Sequence, residues 1–201
     1  MANMEQILLF FKDKKPYIIF SALLFCCGFI LGFYLFREYP DYFLNNLDRL
    51  LGNILRVGRE IRGRSPIYAT SMIFQNNIRA LIIIIFGGIL LGVIPLYVIL
   101  LNGVLVGVML GINLYEGNTA AFFISAILPH GIFEIPAIIA GGAFGLKTGF
   151  NILFPGPHNR WKLLKDNLRN SVLTLGVLVP MLLIAAGIEV LITPHITKLF
   201  M

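Results

Sequence analysis

A histidine and a glutamate stand four residues apart inside a long apolar stretch of the sequence. They are His130 and Glu134, and prolines flank them at positions 129 and 136. Residues four positions apart share one face of an α-helix, so an imidazole and a carboxylate would lie side by side. Ionisable groups are costly to expose to lipid, and inside a membrane segment they indicate pairing, transport or catalysis.

Three interpretations of this pair remain open from the sequence. In a structural one, the two side chains pair with each other, with Asn102 or with backbone carbonyls that the prolines free. In a transport one, they line a polar cavity and carry a proton or bind an ion. In an enzymatic one, they begin a zinc or acid–base site, but a zinc protease of the H-E-x-x-H type needs a second histidine on the same helix. The other histidines, His158 and His195, are distant, so we predict no enzyme, no catalytic residue, no cofactor and no metal site.

Further polar residues belong to the same predicted site. Asn102 lies deep in an apolar run, where an unpaired amide costs free energy, so we expect an interhelical hydrogen bond from it. Its expected partners are the polar start of the second span or the His–Glu pair. The predicted intramembrane polar site consists of His130, Glu134, Asn102, Asn76, Asn77 and Arg79.

The composition indicates that the elements carrying these residues are membrane helices. Of 201 residues, 58% are hydrophobic and 13% are charged, whereas about a quarter of a soluble domain is charged. The mean hydropathy is +0.86. The net charge of +6 comes from residues that flank apolar segments, where topology and anionic headgroups explain it without nucleic acid. The fold class that follows is an all-α integral membrane bundle, with the lipid bilayer as its first partner.

Apolar runs of about 20 residues predict five transmembrane helices in a single membrane domain, residues 1–201. The run from residue 80 to 115 is too long for one helix, and Gly92 to Pro95 is the expected turn. Two short helices that re-enter the membrane are the alternative there. Pro129 and Pro136 predict a break in the fourth span. The predicted spans are 16–36, 76–93, 95–115, 119–146 and 172–192.

Residues 41–63 predict one amphipathic helix, because apolar residues recur at helical spacing with arginines between them. It is too charged to cross the membrane. It would pack on its own bundle, lie in the headgroup plane or offer a face to a partner protein. Basic residues near the first span and after the fourth favour a cytoplasmic N-terminus in a multi-pass protein of the cell membrane.

Glycines recur every four residues in several spans and predict close helix packing, because small residues let helix backbones approach each other in lipid. Packing within the chain and a homodimer seam are both compatible with this pattern. The predicted packing positions are Gly103, Gly107, Gly111, Gly141, Gly145 and Gly149.

The chain resembles the stage II sporulation protein M family of multi-spanning membrane proteins. The resemblance covers most of the chain, and its most specific motif is residues 129–137, PHGIFEIPA. Residues 76–80, Asn102-Gly103 with Gly107, and residues 187–189 with Thr193-Pro194 also carry it.

The resemblance implies a non-enzymatic membrane scaffold. In endospore formers, the family's known member holds two secreted peptidoglycan-degrading proteins at the septal membrane during engulfment, and many relatives occur outside sporulation. The expected function is therefore to anchor peptidoglycan hydrolases or other membrane proteins at the cell membrane. A small transporter that uses His130 and Glu134 is the alternative.

Overall fold

The computed structural model describes residues 14–50, 52–157 and 159–200, and these residues form helices and the turns between them. The all-α membrane bundle predicted from the sequence is confirmed. In chain order the helices of the described residues are α1 (Lys15–Glu38), α2 (Pro40–Asn45), α3 (Leu47–Leu50), α4 (Gly52–Ile61), α5 (Pro66–Phe86), α6 (Val93–Tyr115), α7 (Ala120–Leu153), α8 (Arg160–Leu191) and α9 (Thr193–Thr197).

Five of these helices, α1, α5, α6, α7 and α8, are long and apolar enough to cross a membrane. The shortest of them, α5, has 21 residues, and a 3₁₀ turn at Gly87–Ile89 extends it. Crossing the hydrocarbon core takes about 20 residues. The predicted number of five spans is therefore confirmed.

The second span begins at Pro66, ten residues before the predicted start. The Tyr68 N–H donates to Ser65 Oγ at 3.3 Å, and a proline suits the first helical position, so residues 65–66 form a strong start signal. Residues 75–77, the polar cluster taken as the start, lie inside the helix instead. The following turn is where we predicted it: Gly92 has a left-handed φ of +79°, and α6 begins at the next residue.

Helix α7 runs without interruption from Ala120 to Leu153 and contains both Pro129 and Pro136. The predicted helix break at these two residues therefore differs from the structure. Each proline removes one backbone hydrogen bond, but the neighbours of a membrane helix compensate for such losses. Helix α7 has many neighbours, because α1, α5, α6 and α8 all pack against it.

The fifth span is longer than predicted, because a single helix, α8, covers both the short helical stretch expected at 159–169 and the span expected at 172–192. The Asn159 side chain caps it, accepting the Trp161 N–H at 2.8 Å. The basic residues of its first turns do not interrupt it. They extend the helix beyond the apolar part of the span.

The predicted amphipathic helix at 41–63 is three short helices, α2 to α4. The first ends at Asn45, and the next residue, Asn46, donates through Nδ2 to Tyr42 O at 2.8 Å. Asparagine side chains compete in this way with the helical backbone bonds. Residue 51, inside the predicted helix, lies outside the described residues. We call residues 40–65 the arginine segment, since five arginines and three acidic residues lie in it.

Five crossings place the arginine segment on one side of the bundle, together with the α6–α7 turn and the chain after α8. We call this side the segment side. The start of α1, the α5–α6 turn and the α7–α8 loop lie on the opposite side. The cytoplasmic N-terminus remains a prediction.

Glycines set the spacing between α1 and α6. The space beside Gly28 and Gly32 is filled by the α6 backbone at Leu100 and Val104, and the space beside Gly103 and Gly107 is filled by the α1 backbone. Gly111 faces the Phe36 ring. On α7, Gly141 faces Leu81, Gly145 faces Ile84 and Pro95, and Gly149 faces Gly92. All these neighbours belong to the same chain, so these glycine faces are occupied within one bundle.

Candidate functional site

A cluster of three ionisable side chains lies between α7 and α8. His130 and Glu134 come from α7, and Glu189 comes from α8. One nitrogen or oxygen of each side chain lies within 4.8 Å of those of the other two. We call His130, Glu134 and Glu189 the trio. Because α7 is uninterrupted, His130 and Glu134, four residues apart, lie on the same face of this helix.

Glu189 reaches the trio because small residues on α8 let the two helices approach each other. Ala185 and Ala186, within one turn of Glu189, are fully buried. Glu189 is one of the residues that carry the family resemblance, but it was not among the residues predicted for the site from the sequence. A signal was available, since Glu189 is an ionisable residue in the last apolar run, and such residues mark candidate sites in membrane helices.

Asn77 of α5 completes the polar side of the site. Its side chain is 8% exposed and faces the Glu134 carboxylate. The Asn77 Nδ2 atom has no hydrogen-bond partner of standard geometry among the described residues. Asn77 Oδ1 accepts from Asn76 Nδ2 at 3.4 Å, and this contact orients the amide.

The two carboxyl groups of the trio form no ion pair with a lysine or arginine in the described part of the chain. The ion pairs found there join Arg56 to Glu60 and Arg59 to Asp48, outside the bundle. His130 Nδ1 is buried and has no hydrogen-bond partner among the described residues. Two carboxylates this close inside a low-dielectric bundle repel each other unless a proton or a cation lies between them.

An apolar layer lies between the trio and the opposite side of the bundle. It consists of Leu81, Ala137 and Leu182, which are fully buried and pack together. The trio is nearer the segment side: His130 lies ten residues inside α7 from the end on that side, or about 15 Å at 1.5 Å per residue. All three side chains are partly exposed. The shortest route between the trio and solution therefore runs toward the segment side.

Three residues of the predicted polar site do not join the trio. Asn102 donates through Nδ2 to Val98 O of its own helix at 2.7 Å, so the interhelical hydrogen bond expected of it differs from the structure. A bond to the carbonyl four residues earlier satisfies the amide without a partner helix. Asn76 and Arg79 are exposed, and Arg79, two residues from Asn77, points to the other side of α5.

Other residues that the sequence analysis singled out lie outside the trio. His195 is exposed in α9, and His158 lies outside the described residues. Pro129 and Pro136 flank the trio from within α7. A cleft on another face of α7, lined by apolar residues such as Phe25, Val106 and Ile135, contains none of the trio. The trio therefore lies in a helix contact rather than in that cleft.

These features define a multi-pass membrane protein with an ionisable site buried between its helices. The model of the stage II sporulation protein M family matches residues 21–194. The chain belongs to this family.

Two relatives come from the archaeon Methanocaldococcus jannaschii. One, named "Uncharacterized protein MJ0793", is 27% identical over 180 residues, which cover 89% of this chain and 94% of the relative. The other, named "Uncharacterized protein MJ0706", is 27% identical over 200 residues, which cover 92% of this chain and 85% of the relative. No solved structure matches the chain.

Proposed function

We propose that this chain is a non-enzymatic scaffold of the cell membrane that presents its arginine segment to partner proteins. Peptidoglycan hydrolases are the class of partner that the family resemblance implies. The observation that carries the proposal is the position of this segment outside the bundle. Its arginines, among them Arg56, Arg59 and Arg62, are exposed, although a segment that served only to pack the bundle would bury its face.

The arginine segment is held to the bundle near its two ends. On α2, the Phe43 ring lies 5.8 Å from the Phe36 ring of α1, between centroids, and α4 packs against α5. Within the segment, Arg59 Nη2 binds Asp48 Oδ1 at 3.0 Å. A positively charged surface fixed at the membrane in this way favours acidic protein partners or anionic headgroups.

Site-specific photocrosslinking in the native host tests the scaffold. A photoreactive residue in place of Tyr42, which is 58% exposed on α2, is expected to capture an identifiable extracytoplasmic hydrolase or membrane protein. The control is the same residue in place of Leu173, which is 59% exposed on α8 and faces lipid. If the Tyr42 probe captures only lipid, or the same proteins as the Leu173 probe, the scaffold proposal fails.

Transport is a second candidate, favoured by the polar residues on the buried face of α8. Asn167, Ser171 and Thr174 are buried toward the opposite side, and Glu189 lies toward the segment side. Leu178 and Leu182 separate the two polar groups along this face. Polar residues on both sides of an apolar layer are the arrangement that a gated path through a membrane needs.

A flux measurement tests this second candidate. Proteoliposomes that contain the chain are expected to move protons or cations, and His130→Ala and Glu134→Gln are each expected to lower the flux at least tenfold. The matched control is Glu116→Gln, since Glu116 is exposed in the α6–α7 turn. A flux that is the same in all four proteins, or no higher than in empty liposomes, excludes transport through the trio.

A further inference from the structure

We propose that His130, Glu134 and Glu189 together bind one divalent transition-metal ion between α7 and α8. Ions of the zinc, manganese and iron(II) class take mixed imidazole and carboxylate ligands. The metal site is independent of the scaffold role. It shares His130 and Glu134 with the transport candidate, but metal binding and flux are measured separately, so either can fail while the other holds.

The geometry of the trio suits a single ion. Two ligands of one ion lie at most twice the metal–ligand distance apart, or roughly 4 to 4.4 Å for zinc bonds of about 2.0 to 2.2 Å. The atoms of the trio already lie within 4.8 Å of one another. Small side-chain rotations therefore bring all three within bonding distance, without moving either helix.

Charge balance gives the second reason. A divalent ion neutralises two carboxylates, and a neutral site removes most of the cost of placing charges inside a membrane bundle. No lysine or arginine of the described residues lies within 4.0 Å of either carboxylate. A cation from solution would thus supply the missing positive charge, and its shortest route to the trio runs from the segment side.

Asn77 is an independent observation that points to a ligand. It is more than nine-tenths buried, its side chain interacts with Glu134, and its Nδ2 has no hydrogen-bond partner of standard geometry among the described residues. In metal sites, carboxylate ligands are commonly oriented by such outer-shell donors. A metal on Glu134 would fix the carboxylate and complete this contact. Without a metal, the Glu134 carboxylate would be free to move, and the Asn77 amide would lack a fixed partner.

The types of ligand narrow the choice of metal. An imidazole disfavours calcium and magnesium, which take oxygen ligands. The two cysteines, Cys26 and Cys27, are exposed on α1, so they are not part of the trio and a thiolate site is excluded here. Three protein ligands leave a fourth position open to water, since zinc is usually four-coordinate.

Metal binding to the purified full-length chain tests the proposal. The chain is purified in detergent with a tag free of histidine and cysteine, stripped with a chelator, and titrated separately with Zn²⁺ and Mn²⁺. We expect about one ion per chain by elemental analysis and a rise in unfolding temperature on metal addition. His130→Ala and Glu189→Gln are each expected to weaken binding at least tenfold and to remove the rise.

Two control variants separate the trio from surface binding. His195→Ala and Glu116→Gln change exposed residues and are expected to bind metal as the wild type does. Wild-type chain that elutes as a single folded species and takes up neither ion overturns the proposal, and a proton between the carboxylates is then the remaining explanation. Equal affinity in wild type and Glu189→Gln also overturns it, since the ion would then be bound elsewhere.

Discussion

Gly107→Leu is expected to separate α1 from α6 and to lower the free energy of unfolding by about 3 kcal/mol, the upper part of the usual range for overpacking. A Cβ atom at Gly107 would meet the backbone of α1 at the Phe29 carbonyl and at the Phe33 nitrogen, the latter at 2.8 Å. Backbone atoms cannot rotate away as a side chain can. Relief therefore requires the two helices to move apart.

The cost is large because of how membrane helices associate. Lipid tails are as apolar as leucine, so close van der Waals packing is a main force that holds α1 to α6. A leucine at Gly107 removes this packing over neighbouring turns, where Gly103 and Gly32 also rely on close approach. Among the described residues, the main contacts left to helix α1 would then be those with α7 and the short helix α2.

The measurement is the unfolding temperature in detergent, followed by the loss of the single-species elution peak after heating. The matched control is Gly176→Leu on α8, because nothing lies within 4 Å of a Cβ atom at Gly176. We expect the Gly176 variant to unfold within a few degrees of wild type. Equal unfolding temperatures for wild type and Gly107→Leu would contradict the α1–α6 packing.

The sequence predicts the spans well because membrane insertion depends on local properties. An apolar run of about 20 residues must be helical wherever it crosses a bilayer, because no other structure of a single segment satisfies its backbone. The number of spans and the turn at Gly92 therefore follow from composition and from one glycine–proline signal. The helix ends follow less well. The start of α5 depends on the cap formed by Ser65 and Pro66. The predicted start was later in the chain because residues 75–77 are polar and precede the apolar run.

The prolines of α7 show that packing between helices can override the local tendency of proline to break a helix. Pro129 and Pro136 each disfavour a helix locally, yet α7 contacts four other spans and keeps its axis through both positions. Asn102 is the reverse case. We expected a tertiary partner, but the carbonyl of Val98 on its own helix satisfies the amide.

Three residues of the candidate site, His130, Glu134 and Asn77, were predicted from the sequence, and Glu189 was not. His130 and Glu134 are four residues apart, so helical periodicity alone places them together. Asn77 was named because it belongs to a polar cluster next to an apolar run, although it lies 57 residues before Glu134. Glu189 lies 55 residues further along the chain than Glu134, and its place in the site depends on how α8 packs on α7. Helix spacing in one sequence contains no direct signal of which helix faces meet.

Leu182→Ala is expected to open the apolar layer beside the trio and to destabilise the bundle. Leu182 is fully buried against Leu81, Leu178 and Ala137, and its truncation leaves a cavity between α5, α7 and α8. Leucine-to-alanine changes in protein cores cost about 2 to 5 kcal/mol. We expect about 2 kcal/mol here, because transfer from lipid adds little and the lost packing accounts for the effect.

The control for Leu182→Ala is Leu183→Ala, which truncates the next residue on a lipid-facing position that is 50% exposed. Unfolding temperature in detergent checks the stability difference, and ion leak in proteoliposomes checks whether the apolar layer blocks a path.

If the layer is a gate, Leu182→Ala raises the leak through the trio, and adding Glu134→Gln to this variant lowers the leak again. If the layer only packs helices, stability falls and the leak stays at the level of Leu183→Ala. An unfolding temperature equal to that of Leu183→Ala would contradict the buried position of Leu182, because only a side chain packed on all sides leaves a cavity when it is cut back.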